Sequence, residues 1–388
     1  MPSNQNKRLF WVFALSSSAY FIQGIEALPF QGLLYYLKET LGYSPEKIMF
    51  LTSVLPLAWI LKPPIGYIVD NFLSKKSWIF LALALSVISV LFLGLLSLPV
   101  VLIVAAMMIN SANTAFRDVS VDGIMCVEGK QYAATGRIQS VQWIAFSLAG
   151  LITGLAGGYI AFRWDYRFAF LCLIPFYFLA GLTAYFYKDD ADQGLPVKQR
   201  HFFREMKLLF SDKNLMLLCL FLFLYRYSPS FGTPLFFIQR DVFKWGKVWI
   251  GALATISTLF EIAGALFYFK FCRRINIKRW LFFSVFLGTA TTLSYLYYTP
   301  YSAIVYNILY SLVGMFIFIM ALDFMARNTL KGLEATSFAL LTSVSNIALI
   351  SSNLSGAFLL PVIGLKWLIA ISALSSLLCL PLINKIRY

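Results

Sequence analysis

Apolar stretches of about 20 residues recur along the whole chain, each followed by a short polar segment. A helix of this length crosses the roughly 30 Å hydrocarbon core of a bilayer. The composition agrees, because 60% of the residues are hydrophobic and only 13% are charged, whereas soluble domains carry about 25% charged residues. The sequence therefore predicts an all-α integral membrane protein and argues against a soluble enzyme.

The apolar stretches predict twelve transmembrane helices in two pseudo-symmetric halves of six. They cover residues 9–37, 46–69, 77–97, 100–126, 138–161, 168–187, 213–238, 247–270, 280–298, 301–326, 335–360 and 367–384. We expect an N-terminal six-helix bundle over 1–187, a cytoplasmic linker over 188–212 and a C-terminal six-helix bundle over 213–388. Within the linker, His201–Phe210 is predicted to form an amphipathic piece on the membrane surface.

Basic residues are distributed unevenly between the two sides of these spans. Most of the 32 Lys and Arg residues lie in the N-terminal tail and the even-numbered loops. Because basic loops stay in the cytoplasm, both termini are predicted to be cytoplasmic in a multi-pass protein of the cell (inner) membrane. Topology thus accounts for the net charge of +15, and no nucleic-acid partner is expected.

Neither a metal site nor a cofactor site is indicated by the sequence. The five cysteines are odd in number and widely spaced, without a C-x-x-C pair. The single histidine, His201, lies in the predicted linker, which leaves no histidine for a metal cluster or a proton relay in the membrane. Any proton carrier must therefore be a carboxylate.

Few ionisable residues lie within the predicted spans. Each costs about 2.5–3.5 kcal/mol at a span centre, so it needs a partner or a water-filled cavity. Away from the span ends they are Glu26 in the first helix, Lys62 in the second, Arg117, Asp118 and Asp122 in the fourth, Arg226 in the seventh, Glu261 in the eighth and Asp323 in the tenth, while Asp70 lies at the end of the second. Every third helix has none, which predicts a polar central passage with those four helices facing lipid.

A weak internal repeat supports two related halves. Asp122 precedes Ala134-Thr135 and Asp323 precedes Ala335-Thr336, with both pairs 201 positions apart. Related halves of this kind are typical of secondary transporters, which bind their solute near the bilayer midplane.

The junction of the second and third predicted helices resembles the cytoplasmic motif of the major facilitator superfamily. It reads Gly66-Tyr67-Ile68-Val69-Asp70, followed by Lys75 and Lys76. The glycine permits close helix approach, and the aspartate can bond a neighbouring helix N-terminus or a cation in one state of the cycle. The second half has Phe271 near the place of Asp70, so an asymmetric gate latch is expected.

A narrower resemblance covers about the first 160 residues. The chain is similar there to the folate-biopterin transporter family. The similar segments are Gly24 to Asp70, the stretch Asp118-Val119-Ser120-Val121-Asp122 with its two aspartates, and the later Gln139-Ser140 and Trp143. Arg226 with Ser228-Pro229-Ser230 resembles that family's seventh helix more loosely. This resemblance implies a symporter that moves a folate or pterin-like solute by alternating access, as a secondary active transporter and not an enzyme.

Two alternatives stay open at this point. The muropeptide-permease family also has paired aspartates in its fourth helix. The first alternative is therefore a carrier of the same superfamily that moves a muropeptide or another organic solute. An integral membrane transferase is the second. It would need a histidine or carboxylate constellation in sizeable loops, whereas the external loops here are short.

The charged residues of the fourth helix are candidates for coupling. Asp118 and Asp122 are four apart and so share one face of the helix, where one of them can pair with Lys62. We hypothesise that Lys62, Asp118 and Asp122 carry proton coupling and gating, together with Asp70 and Asp323. The alternative is an ion-pair cluster that only holds the second and fourth helices together.

Chemistry suggests a second set of residues for the solute. A pterin ring presents adjacent donors to a carboxylate, and a glutamate tail needs a cation. Glu26 and Glu261 are candidates to bind the pterin ring, and Arg226 or Arg117 to bind the glutamate tail. Trp143 is a candidate to stack on the ring. Alternatively, Arg226 forms an ion pair with Glu261 and does not contact the solute. The expected partners are a small-molecule substrate, the lipid bilayer and protons, for a monomeric protein.

Overall fold

The structure is a computed structural model that describes residues 2–43, 47–48, 51–52, 55, 57–188 and 202–386. Over these residues the chain forms helices and no β-strand. Eight described helices are long and apolar enough to cross a membrane, or nine if the bent pair Arg204–Ser211 and Lys213–Arg226 counts as one span. An all-α membrane protein is thus confirmed, while the count of twelve spans stays a prediction.

The chain divides into two compact units. The first comprises Met1–His201 and Thr329–Ala339, and the second comprises Phe202–Asn328 and Leu340–Tyr388. Residues 189–201 of the predicted linker, including His201, lie outside the described residues. The predicted boundaries of the two bundles and the linker therefore remain predictions.

Nine α-helices are described in the N-terminal part of the first unit. They are α1 (Pro2–Ile25), α2 (Leu28–Tyr35), α3 (Leu57–Ile60), α4 (Lys62–Asn71), α5 (Lys75–Leu95), α6 (Val100–Gln131), α7 (Thr135–Arg163), α8 (Tyr166–Leu171) and α9 (Ile174–Phe186). The Ser74 side chain accepts a hydrogen bond from the backbone N–H of Ser77 and so begins α5. Large apolar side chains such as Phe162, 87% exposed, lie on the outside, as expected where lipid is the solvent.

The first predicted span is interrupted between α1 and α2. The break covers Glu26 and Ala27 and directly precedes the Leu28-Pro29 start of α2. Proline lacks a backbone N–H and disfavours a helical conformation in the residue before it, so it is tolerated at a helix start. The interruption places the Glu26 carboxylate inside the unit.

Eight further α-helices are described in the remaining chain. They are α10 (Phe202–Ser211), α11 (Lys213–Arg226), α12 (Gly232–Phe237), α13 (Lys247–Phe271), α14 (Ile277–Ser294), α15 (Pro300–Arg327), α16 (Glu334–Ser375) and α17 (Leu380–Ile383). The start of α16 lies in the first unit and its remainder in the second. Within α16, Gly364 has φ 74°, a backbone conformation that glycine adopts without strain, and this residue separates the predicted eleventh and twelfth spans.

The predicted amphipathic piece corresponds to α10, which is bent by 64° from α11. Leu209 is buried in the unit, whereas its neighbours Leu208 and Phe210 are exposed. The position of α10 on a membrane surface remains a prediction.

Candidate coupling and substrate sites

Lys62 and Asp118 form a buried ion pair in the first unit. Lys62 opens α4, and its Nζ lies 2.6 Å from Oδ2 of Asp118 on α6. The same ammonium group lies 4.5 Å from the ring centroid of Trp59. The prediction that one of the paired aspartates binds Lys62 is therefore confirmed.

Asp122 lies one turn further along α6 and is also buried. It accepts hydrogen bonds from the Tyr20 hydroxyl at 2.9 Å and from Nε2 of Gln142 at 3.4 Å, both at Oδ1. Tyr20 also packs edge-to-face against Trp143, with ring centroids 6.0 Å apart. Among the described residues, the direct partners of Asp122 are thus neutral, in contrast to Asp118.

Glu26 and Arg117, which the sequence assigns to different parts of a solute, bind each other. Arg117 Nη2 donates to Glu26 Oε1 at 3.0 Å, and this carboxylate also accepts hydrogen bonds from Tyr177 and Thr114. The Arg117 side chain is 1% exposed, whereas that of Glu26 is 11% exposed. Of the two, Glu26 lines a cavity of about 270 Å³, together with Gln23, Trp59, Asn110 and Ser111.

Asp70 caps the N-terminus of α16 within the first unit. Its Oδ2 accepts hydrogen bonds from the backbone N–H of Thr336 at 2.8 Å and from the Thr336 hydroxyl at 2.7 Å. Oδ1 lies 3.3 Å from Nζ of Lys75. Gly66 allows this approach, because a Cβ atom there would lie 2.7 Å from the Cα of Thr336. The carboxylate therefore meets both a helix N-terminus and a cation.

A second contact to the segment Thr329–Ala339 was missed by sequence reasoning. Lys130, at the end of α6, donates to the backbone carbonyl of Thr329 at 3.1 Å and to its hydroxyl at 2.7 Å. Its Nζ also lies 4.0 Å from the Glu334 carboxylate. The sequence shows Lys130 only as a basic residue that indicates topology, so nothing in it signalled this contact.

Asp323 in the second unit is fully buried and directly paired with a cation. Arg327, one turn along α15, donates to both of its carboxylate oxygens at 3.0 and 2.7 Å, and the Tyr268 hydroxyl donates to Oδ2 at 2.7 Å. Asp122 and Asp323, which the weak sequence repeat relates to each other, thus both accept a hydrogen bond from a tyrosine hydroxyl. Their environments differ, since only Asp323 forms an ion pair among the described residues.

Arg226 ends α11 and lines a cavity of about 540 Å³ in the second unit. Its guanidinium lies 5.4 Å from the ring centroid of Phe318. Within the described part of the chain Arg226 has no carboxylate partner, and half-buried Glu261 on α13 forms no ion pair with it. The ion pair between Arg226 and Glu261, which the sequence offers as an alternative to a solute contact, is therefore not formed among the described residues.

Over the described residues, no group of three or more His, Cys, Asp or Glu side chains is placed to hold a metal ion. Apolar helices with buried ion pairs, and a cavity in each unit that contains a few polar side chains, are typical of a membrane carrier. The chain belongs to the Major Facilitator Superfamily, whose model matches residues 9–352. It is accordingly a membrane transporter and not an enzyme, as the sequence predicts.

Known transporters resemble the chain over nearly its whole length. It is 24% identical to the folate-biopterin transporter of Synechocystis sp., over 96% of this chain and 81% of the relative. A probable folate-biopterin transporter 5 of Arabidopsis thaliana is 23% identical over 92% of this chain and 78% of its own. Among solved structures, the Major Facilitator Superfamily transporter FucP in the outward conformation superposes with a TM-score of 0.74 at 13% identity, covering 97% of this chain and 98% of its own. The predicted resemblance to the folate-biopterin transporter family is thereby confirmed.

Proposed function

We propose that this protein is a proton-coupled secondary transporter that moves a folate or pterin-like solute across the cell (inner) membrane by alternating access. The proposal includes twelve spans in two six-helix halves, cytoplasmic termini and a monomeric protein. The names of its relatives support the solute class, and membership of a transporter superfamily supports the transport cycle.

The contrast between Asp118 and Asp122 carries the proton-coupling part of the proposal. Lys62 forms an ion pair with Asp118, so this carboxylate already has a cationic partner. Both hydrogen bonds to Asp122 end on Oδ1, which leaves Oδ2 able to take a proton without loss of either bond. Asp122 is therefore the proposed proton carrier, and the Lys62–Asp118 pair fixes its surroundings.

Gating is assigned to the contacts on the segment Thr329–Ala339. Asp70 binds the start of α16 and Lys130 binds Thr329, so both hold this segment against the N-terminal part of the first unit. Breaking these contacts during the transport cycle exposes the helix N-terminus that Asp70 now caps. Asp323, neutralised by Arg327, is the proposed counterpart in the second unit.

Solute contacts are assigned first to the residues that line cavities. Glu26 offers a carboxylate to the donors of a pterin ring and has Trp59 nearby for stacking. Arg117 supports Glu26 by neutralising its charge, and Arg226 offers a cation to an acidic group. Trp143 and Glu261 complete the proposed set, although neither is among the residues lining these two cavities.

Uptake into vesicles tests this function. Purified protein in liposomes is given radiolabelled folate, biopterin or a muropeptide, with and without an inward proton gradient. The proposal expects accumulation of folate or biopterin that depends on the gradient. Accumulation of the muropeptide alone contradicts the solute class, and uptake that is indifferent to the gradient contradicts proton coupling.

A further inference from the structure

The second unit contains an interrupted helix beside its cavity. Residues 227–231, which include Ser228-Pro229-Ser230, are not helical and separate α11 from α12 in the middle of the seventh predicted span. Proline removes one backbone donor and disfavours a helical conformation in the residue before it. Irregular backbone at membrane depth persists where protein surrounds it or where it lines a cavity, and here it lines the cavity with Arg226.

The interruption is fixed by contacts with α16. The backbone N–H of Ser228 donates to the Ser352 hydroxyl at 2.9 Å, and that of Ser230 donates to the Ser352 carbonyl at 2.9 Å. Gly356 permits this approach, because a Cβ atom there would lie 2.0 Å from the carbonyl oxygen of Ser230. The non-helical segment 227–231 is therefore held in one conformation by α16 and forms one wall of the cavity.

Arg226 supplies an uncompensated charge to that wall. Lys62 and Arg117, the buried cations of the first unit, each bind a carboxylate. Over the described residues, the Arg226 guanidinium lies over the face of Phe318 and has no carboxylate partner, and no acidic residue is among the described residues that line its cavity. An isolated cation in a membrane span is energetically unfavourable, and a bound anion offsets this cost.

The rest of the cavity suits the body of an organic acid. Hydroxyl and amide groups line it, from Ser230, Ser284, Thr292, Asn353 and Ser376, beside the aromatic rings of Phe231 and Tyr295. These rings lie edge-to-face with centroids 5.5 Å apart, and such surfaces pack against flat ligands. The volume of about 540 Å³ falls in the range of small-molecule sites, roughly 300–1,000 Å³.

We propose that this cavity is a carboxylate site, in which Arg226 binds the single carboxylate of a flat aromatic acid whose body lies against Phe231 and Tyr295. A guanidinium donates two parallel hydrogen bonds to a carboxylate, which gives both energy and orientation. One cation neutralises one carboxylate, so the site favours monoanions over uncharged solutes. This inference rests on the proposed function and specifies the solute class.

Binding to the purified full-length protein tests the proposal. Calorimetry compares pteroate, which joins a pterin to one benzoate carboxylate, with the uncharged pterin biopterin. Arg226→Gln is expected to weaken pteroate binding about 10- to 100-fold, the usual effect of losing a charge-assisted hydrogen bond, and to leave biopterin binding within about threefold. Arg226→Lys keeps the charge and loses the paired geometry, so its affinity for pteroate falls in between.

Arg240→Gln is the matched control, since this arginine is exposed and paired with Asp241, and it should leave both affinities unchanged. If Arg226→Gln weakens the binding of pteroate and of biopterin equally, the proposal is overturned, and unchanged pteroate binding overturns it as well. If Arg226→Gln does not fold, the unaltered protein decides: benzoate should displace pteroate and benzamide should not. Displacement by both overturns the carboxylate site, and so does displacement by chloride at the same concentration as benzoate.

Failure of this site and failure of the transport function give different results. If carboxylate binding depends on Arg226 while vesicles take up none of the three solutes, the site stands and the transport proposal fails. If uptake proceeds while Arg226→Gln binds pteroate normally, transport stands and the site fails.

Discussion

Asp118 binds Lys62 at 2.6 Å, whereas Asp122, one turn away on the same helix, accepts hydrogen bonds from Tyr20 and Gln142. The two aspartates share a face of α6 but have different partners. A carboxylate in a buried ion pair contributes to structure, and one with neutral donors can gain or lose a proton during a transport cycle.

Removing one member of the buried ion pair should destabilise the protein. Lys62→Gln leaves Asp118 buried without a cation, which costs about 3–5 kcal/mol of unfolding free energy. The double variant Lys62→Gln with Asp118→Asn removes both charges and should recover part of this loss. Denaturation of the purified variants measures both effects, and additive losses in the double variant would show that the pair is not coupled.

Adding a methyl group at Gly66 should loosen the start of α16. The new Cβ of Gly66→Ala would lie 2.7 Å from the Cα of Thr336 and 2.9 Å from the carbonyl oxygen of Ala335. Because backbone atoms must then shift, the contacts of Asp70 weaken and amide hydrogen exchange at Ala335 and Thr336 rises.

Gly150→Ala is the matched control for that substitution, because it lies in the same unit and a Cβ atom added there would point into open space. It should leave the exchange of both amides unchanged. Unchanged exchange in Gly66→Ala would contradict the tight approach of α4 to the start of α16.

Removing the cation beside Asp323 should destabilise the second unit. Arg327→Gln leaves a carboxylate with no exposed surface without its charged partner, at an expected cost of about 3–5 kcal/mol. Arg274→Gln, an exposed site in the same unit, serves as the control and should have little effect. Thermal unfolding followed by tryptophan fluorescence measures both, and equal midpoints would contradict a structural role for the Asp323–Arg327 pair.

Hydropathy and charge predicted the class of fold and the pairing of Lys62 with one aspartate. The pairing follows from the cost of burying a charge, since a buried charge requires a partner whatever the tertiary structure. The Glu26–Arg117 pair obeys the same rule but was not predicted, because each of these two charges is also suited to bind a group of the solute, and the sequence does not show which of the two partners it meets. In a span that is apolar on every side, periodicity does not show which face meets protein and which meets lipid.

The interrupted helices also show what sequence alone could not provide. Pro29 and Pro229 lie in the first and seventh predicted spans, yet membrane helices often continue through proline, so neither residue fixed a break. Whether a break forms depends on tertiary partners such as Ser352, which bonds the freed backbone of Ser228 and Ser230. The assignment of Thr329–Ala339 to the first unit depends in the same way on packing at Gly66.

Transport by Asp122→Asn tests the central claim most directly. Asparagine keeps an oxygen that accepts from Tyr20 but cannot carry a proton, while Asp241→Asn, at an exposed site, is the control. In liposomes with an inward proton gradient, Asp122→Asn should lose accumulation of labelled solute and retain exchange of labelled for unlabelled solute. Accumulation equal to that of the unaltered protein, at the same dependence on the gradient, would contradict the assignment of Asp122 as the proton carrier.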